Sequence, residues 1–128
     1  MKTITLIFGA IYGMLSIILG AFGAHALKNI LTPERLQSFE TAVRYQMYAA
    51  FFLIFVGWIL KFDTGSEKWI SWLMIVGALC FSGSIYLLSF KDQLGMNMKF
   101  IGPITPIGGL LMILSWGLLI FYFVKQKY

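Results

Sequence analysis

Four long segments of this chain contain no Asp, Glu, Lys or Arg: residues 3–27, 45–60, 69–90 and 100–124. The ten basic and five acidic residues all lie at the ends of the chain and in the three gaps between these segments. A bilayer interior about 30 Å thick is crossed by roughly 20 helical residues, so three segments are long enough and only the second is short. The pattern predicts an all-α integral membrane protein, a bundle of four helices that each cross the bilayer.

The composition supports this interpretation. Hydrophobic residues make up 59% of the chain and charged residues only 12%, against about a quarter charged in soluble domains. The gaps are too short for a separate soluble domain, so we expect residues 1–128 to form a single membrane domain. The apolar run from Thr3 to Ala24 is longer than the roughly 7–15 residues of a signal-peptide core, and we interpret it as the first span.

The gap between the first two segments has the pattern of a short helix. Thr32 can cap its N-terminus, and Pro33 suits the first helical position because no backbone N–H is needed there. Phe39 and Val43 then recur on one face. We expect an amphipathic interfacial helix over about residues 33–44, which lies on the membrane surface before it bends or runs into the second span.

Two positions predict special backbone geometry. Gly65 lies in the polar gap 61–68, where it can take a positive φ in a compact turn, so spans two and three should be antiparallel neighbours. Pro106 lies inside the fourth segment and cannot donate a backbone hydrogen bond to Gly102. We therefore expect this end of the fourth span to be kinked or irregular.

Small residues of the first and fourth spans are the predicted helix-packing positions. In the first span they fall within an arc of about 100° when each residue advances 100° around a helix. Such an arc lets another helix approach closely in lipid, either a helix of the same bundle, which we favour, or one of a second subunit. The predicted packing residues are Gly9, Gly13, Ser16, Gly20, Gly23, Pro106, Gly108 and Gly109.

Polar residues gather toward one membrane face. An even number of spans places both termini on the same side, and the polar ends of the four spans then meet at the opposite face. The basic residues divide five to each side, so they do not decide which side the termini face. We expect a polar cluster that contacts a lipid or a small solute, formed by His25, Glu40, Arg44, Tyr45, Gln46, Tyr48, Ser84, Tyr86 and Thr105.

Several function classes lack their usual residues. Catalytic metal sites use three or more protein ligands, and the chain has one His and one Cys, so we expect no metal and no cofactor. The five acids are scattered in the gaps, and we expect no catalytic residues. The bases flank every span, which favours contact with lipid headgroups over binding of nucleic acid. His25 is either an interfacial residue bonded to its neighbours or a ligand-binding or pH-sensing residue.

The chain resembles a known family in four strings of sequence. The strings GAFGAHALK (20–28), FETAVRYQMY (39–48), FSGSIYLL (81–88) and ITPIGGLLMILSW (104–116) are similar to the bacterial small membrane proteins grouped as domain of unknown function 423, which have an animal relative called transmembrane protein 256. The resemblance implies a four-span fold in the bacterial cytoplasmic membrane and no particular chemistry. The family often has a histidine after the tyrosine that corresponds to Tyr48, whereas this chain has Ala49, so a mechanism based on two histidines is not expected here.

Two functional hypotheses follow from these features. The first is a non-enzymatic structural or accessory protein that packs into the lipid bilayer and supports membrane integrity or a membrane-protein partner, with a homo-oligomer left open. The alternative is passive binding or carriage of a lipid or small solute at the polar cluster.

Overall fold

The computed structural model describes residues 1–95 and 99–126, and within these ranges it is built from helices. Lys127, which enters the count of basic residues above, lies outside them. The α-helices are α1 (Lys2–His25), α2 (Pro33–Ile59), α3 (Gly65–Ser89), α4 (Lys91–Leu94) and α5 (Ile104–Lys125), with a 3-10 helix at Leu27–Asn29. Four of them, α1, α2, α3 and α5, are long and apolar enough to cross a membrane. The predicted all-α, four-span architecture is confirmed.

Helices α2 and α3 form the centre of the bundle. Helix α1 packs mainly on α2, and α5 packs mainly on α3, so α1 and α5 lie on the outside. Within an apolar stretch of 18 residues in each helix, 44% of α2 and of α3 is buried, against 22% of α1 and 17% of α5. The outer faces carry large exposed apolar side chains such as Ile17, Ile113 and Ile120, which are suited to contact with lipid.

Helix α2 begins where the sequence predicts a helix but continues without a break for 27 residues. The Thr32 side chain accepts a hydrogen bond from the backbone N–H of Arg35, and Pro33 is the first helical residue. A separate interfacial helix over residues 33–44 is not confirmed, because these residues are the first three turns of α2. The segment contains no glycine, and after Pro33 no proline, so nothing in it interrupts the backbone hydrogen bonds.

Helix α3 begins four residues earlier than the uncharged segment. Thr64 and Glu67 form a capping box, in which the Glu67 carboxylate accepts hydrogen bonds from the backbone N–H groups of Asp63 and Thr64. The expectation of a positive φ at Gly65 is wrong, since Gly65 is the first residue of this helix. The preceding turn instead places Phe62 at φ 59°, with its side chain buried against the core.

Helix α5 also begins at a different place from the one expected, and this changes the role of Pro106. Pro106 is the third residue of α5, where a backbone N–H has no partner within the helix, so no helical hydrogen bond is lost. The predicted kink is therefore absent at this position. The irregular backbone lies before the helix, in the turns at residues 99–103. The Pro106 side chain is exposed rather than packed between helices.

The small residues of α1 lie against α2 of the same chain. A Cβ atom on Gly9 would lie 2.9 Å from Ile54 Cδ1, and one on Gly23 would lie 3.0 Å from the ring of Phe39. At Gly13 and Gly20 the corresponding distances to α2 side chains are 3.7 and 3.4 Å, and Ser16 is buried. The glycine arc is thus part of the α1–α2 interface, which is the alternative favoured from the sequence.

The α3–α5 interface is tighter still. A Cβ atom on Gly108 would lie 2.8 Å from the carbonyl oxygen of Gly77 and 2.9 Å from Phe81 Cα. The two helix backbones therefore cross in direct contact at Gly77 and Gly108. The neighbouring Gly109 is less constrained, because a Cβ there would meet only the Phe81 ring at 3.6 Å.

Candidate functional site

A chain of buried and partly buried hydrogen bonds joins the three helices α1, α2 and α3. The Tyr86 hydroxyl donates to Gln46 Oε1 at 2.6 Å, and Gln46 Nε2 donates to the backbone carbonyl of Tyr12 at 3.0 Å. The Ser16 hydroxyl donates to the same carbonyl, and the Tyr12 hydroxyl donates to the carbonyl of Ile75 on α3. Each of these polar groups thus has a partner inside the bundle, as a polar group in an apolar layer requires.

Other hydroxyl groups connect neighbouring helices in the same way. Ser82 donates to the carbonyl of Ala42, Ser115 donates to the carbonyl of Ile70 at 2.6 Å, and the hydroxyls of Thr5 and Ser71 are bonded to each other. All four of these side chains are buried. Ser84 and Thr105 are bonded to each other between α3 and α5. Serine and threonine are common in such contacts between membrane helices.

An ion pair connects α2 to α4 at the end of the bundle where α2 begins. Arg35 lies 3.3 Å from the Asp92 carboxylate and also donates to the backbone carbonyl of Leu88, so it ties the start of α2 to α3 and α4. Gln93 donates to the carbonyl of Ile30 at the same end. Sequence reasoning missed Arg35 and Asp92. These two residues could have been identified from their opposite charges, because they lie in two gaps that the four-span topology places at the same membrane face.

Glu40 and Arg44 form an ion pair on the surface of α2. Their charged groups are 3.9 Å apart, one helical turn from each other, and both side chains are about half exposed. They border a shallow cavity of about 260 Å³ whose floor includes Gly20 and Gly23 of α1. This pair is a surface contact that a membrane headgroup can reach.

A cavity of about 500 Å³ forms a cleft between α2 and α5, with α3 at its base. We call it the α2–α5 cleft. Its lining includes Tyr45, Tyr48, Met74, Gly109, Met112 and Trp116. The rings of Tyr45 and Tyr48 are 5.5 Å apart, and the Tyr45 ring is 5.1 Å from that of Phe81. Sequence reasoning selected the two tyrosines but missed Met74, Met112 and Trp116, because a methionine or tryptophan in a span normally indicates only core packing or an interfacial anchor.

The nine residues of the predicted polar cluster do not form one site. Gln46 and Tyr86 belong to the buried hydrogen-bond chain and line a small cavity of about 210 Å³ between α1, α2 and α3. Ser84 and Thr105 join α3 to α5. Tyr45 and Tyr48 line the α2–α5 cleft, whereas Glu40 and Arg44 border the separate cavity beside Gly20 and Gly23 of α1.

His25, the ninth residue, is exposed at the end of α1. Among residues 1–95 and 99–126, no group of three or more His, Cys, Asp or Glu side chains could hold a metal ion.

Comparison with known proteins places this architecture in a family. A family model described as "Protein of unknown function (DUF423)" matches residues 19–109. A UPF0382 membrane protein of Staphylococcus haemolyticus is 41% identical over 115 residues, which cover 90% of each chain. A UPF0382 membrane protein of Bacillus subtilis is 38% identical over 122 residues, covering 94% of this chain and 95% of the relative.

The similarity extends beyond bacteria and is not accompanied by a solved structure. A UPF0382 membrane protein of Schizosaccharomyces pombe is 38% identical over 108 residues, covering 84% of this chain and 90% of the relative. No solved structure matches this chain. The four apolar helices of the structure are consistent with these matches to membrane proteins. The chain therefore belongs to the DUF423 family of membrane proteins of unknown function.

Proposed function

We propose that this chain is a non-enzymatic accessory protein of the bacterial cytoplasmic membrane, which supports the integrity of the bilayer or of a membrane-protein partner. The observation that supports this function is that polar side chains in the spans form hydrogen bonds with neighbouring helices. Tyr12, Gln46, Tyr86, Ser82 and Ser115 all form hydrogen bonds between helices, most of them to backbone carbonyls. Groups bonded in this way hold the bundle together and are not presented to a substrate.

The proposed role includes assembly with a second copy or with another membrane protein. The glycine arc of α1 is occupied by α2 of the same chain, so an assembly has to use a different surface. The outer faces of α1 and α5 carry many exposed large apolar side chains. Mass spectrometry of the protein released intact from nanodiscs reports the number of subunits directly. A monomer that yields no crosslinked partner in the membrane would refute the assembly part of the proposed role.

Complementation tests the role in the cell. Deletion of the similar Bacillus subtilis protein is expected to raise the uptake of a membrane-impermeant dye, and expression of this chain is expected to restore the barrier. Unchanged dye uptake after the deletion would contradict a role in membrane integrity.

The variant His25→Ala separates a structural role from a chemical one, because His25 is exposed and its replacement should leave packing unchanged. We expect full complementation by this variant. Failure of a folded, normally abundant His25→Ala protein would contradict a purely structural role.

A second function is favoured by one specific observation, the α2–α5 cleft. A cleft of about 500 Å³ has the size of small-molecule binding sites, which are commonly 300–1,000 Å³. We propose passive binding of a lipid there as the second function. The binding surface differs from the one expected from the sequence, since only Tyr45 and Tyr48 of the polar cluster line the cleft.

A further inference from the structure

We propose that the α2–α5 cleft holds one diacyl phospholipid of the bilayer. One acyl chain lies along α5, and the oxygens of the glycerol esters or phosphate accept hydrogen bonds from the hydroxyls of Tyr45 and Tyr48. This site rests on the second proposed function, lipid binding, and specifies the class of lipid, its orientation and the residues that contact it.

The shape and lining of the cleft match a flexible hydrocarbon chain. Met74, Met112 and Trp116 present apolar surface along it, and Gly109 leaves the wall of α5 open where a side chain would otherwise project. Methionine side chains adapt to irregular apolar shapes because they are unbranched and flexible. The α5 residues that line the cleft run from Gly109 to Trp116, which is two turns of helix or about 10 Å. The cleft is therefore elongated along the axis of α5.

The position of the cleft identifies the bilayer as the source of its occupant. It lies between two helices that cross the membrane, and these helices are held together mainly through α3 rather than by direct backbone packing. The cleft therefore opens sideways, and Ile113 at its edge is 66% exposed. An unfilled cleft of this size would leave its walls without van der Waals partners, whereas an acyl chain supplies them.

The two tyrosines favour a phospholipid over a plain hydrocarbon. Tyr45 and Tyr48 are 44% and 56% exposed, and among the residues that the structure describes their hydroxyls have no hydrogen-bond partner. Side chains on a helix lean toward its N-terminus, so both rings lean toward the face where α2 begins and where headgroups of that leaflet lie. A tyrosine hydroxyl near the apolar layer gains from a hydrogen-bond acceptor, and ester and phosphate oxygens are the acceptors available there.

Retention of phospholipid by purified protein tests this site with a pair of matched variants. Gly109→Leu places a leucine side chain in the cleft. Gly117→Leu makes the same change on the same helix at an exposed position where a Cβ atom meets nothing within 4 Å.

Each protein is delipidated in detergent, mixed with palmitoyl-oleoyl phosphatidylglycerol or phosphatidylethanolamine, and weighed intact by native mass spectrometry. We expect wild type and Gly117→Leu to retain one phospholipid of either headgroup, and Gly109→Leu to retain at least tenfold less. Equal retention by wild type and Gly109→Leu would overturn the site, as would a cleft occupied only by detergent or by a second copy of the chain.

A second pair of substitutions keeps the test decisive if Gly109→Leu fails to fold. The double variant Tyr45→Phe, Tyr48→Phe removes only the two hydroxyls and should lower phospholipid retention about tenfold, as expected for the loss of two hydrogen bonds. Unchanged retention by this double variant would overturn the assigned orientation.

Complementation by the folded Gly109→Leu protein separates the site from the function. If the variant loses the phospholipid but still restores the barrier to dye, the site stands and lipid binding fails as the function in the cell.

Discussion

Replacing Gly108 by alanine should destabilise the bundle, although the same replacement usually strengthens a helix. An added Cβ atom at Gly108 would lie 2.8 Å from the Gly77 carbonyl oxygen and 2.9 Å from Phe81 Cα. Comfortable contacts between such atoms are about 3.5–4.0 Å, so α5 has to move away from α3 by roughly 1 Å. Both contacts are backbone atoms, and no side-chain rotation can relieve them.

The size of the effect follows from two contributions. Overpacking of a tight interface costs about 1–3 kcal/mol. Movement of α5 also weakens the hydrogen bonds that join Ser84 to Thr105 and Ser115 to the carbonyl of Ile70. A hydrogen bond between membrane helices contributes about 0.6 kcal/mol to stability. Together they predict a loss of about 2–4 kcal/mol relative to a glycine-to-alanine change elsewhere on the helix.

Gly117→Ala supplies that reference. It lies on the same helix with nothing within 4 Å of the added atom, so the gain in helix propensity, about 0.5–1 kcal/mol, is shared by both variants and cancels in the comparison. Reversible unfolding in mixed micelles, followed by circular dichroism, measures the difference in the free energy of unfolding. Gly109→Ala should behave like the reference. If Gly108→Ala proves as stable as Gly117→Ala, the close crossing of α3 and α5 is refuted.

Two further substitutions test the contacts within the bundle. Ser115→Ala removes the hydrogen bond to the carbonyl of Ile70 and should lower the free energy of unfolding by about 0.6–1.7 kcal/mol in the same assay, whereas Ser66→Ala, at an exposed position, should change it little. Thr64→Ala removes half of the capping box with Glu67 and should cost about 1 kcal/mol, and Thr64→Ser should restore most of it; equal stability of the alanine and serine variants would contradict the cap.

The arrangement of helices could be predicted because the bilayer dictates it. The lengths of the uncharged segments predicted the four spans, and the Thr32-Pro33 pair predicted where α2 begins. Both predictions depend only on local residues. Helix ends were harder to predict where side-chain caps extend a helix past the uncharged segment. Glu67 carries a charge, so it was assigned to a gap, although its carboxylate caps the first turn of α3.

The site could be predicted only in part, because a sequence does not fix how each helix is rotated against its neighbours. Tyr45 and Gln46 are adjacent and lie about 100° apart around α2. The first faces the α2–α5 cleft, and the second is buried toward α1 and α3. Residues at the same depth in the membrane were therefore grouped into one cluster, although the structure divides them among different interfaces.

The order of helix packing has a consequence for biogenesis. Each major interface joins a span to the one that enters the bilayer immediately before or after it: α1 with α2, α2 with α3, and α3 with α5. Topologies dominated by contacts between neighbours in the chain form rapidly, because little loop-closure entropy opposes them. Each newly inserted span therefore meets a packing partner already in the membrane, and the bundle can assemble in step with synthesis.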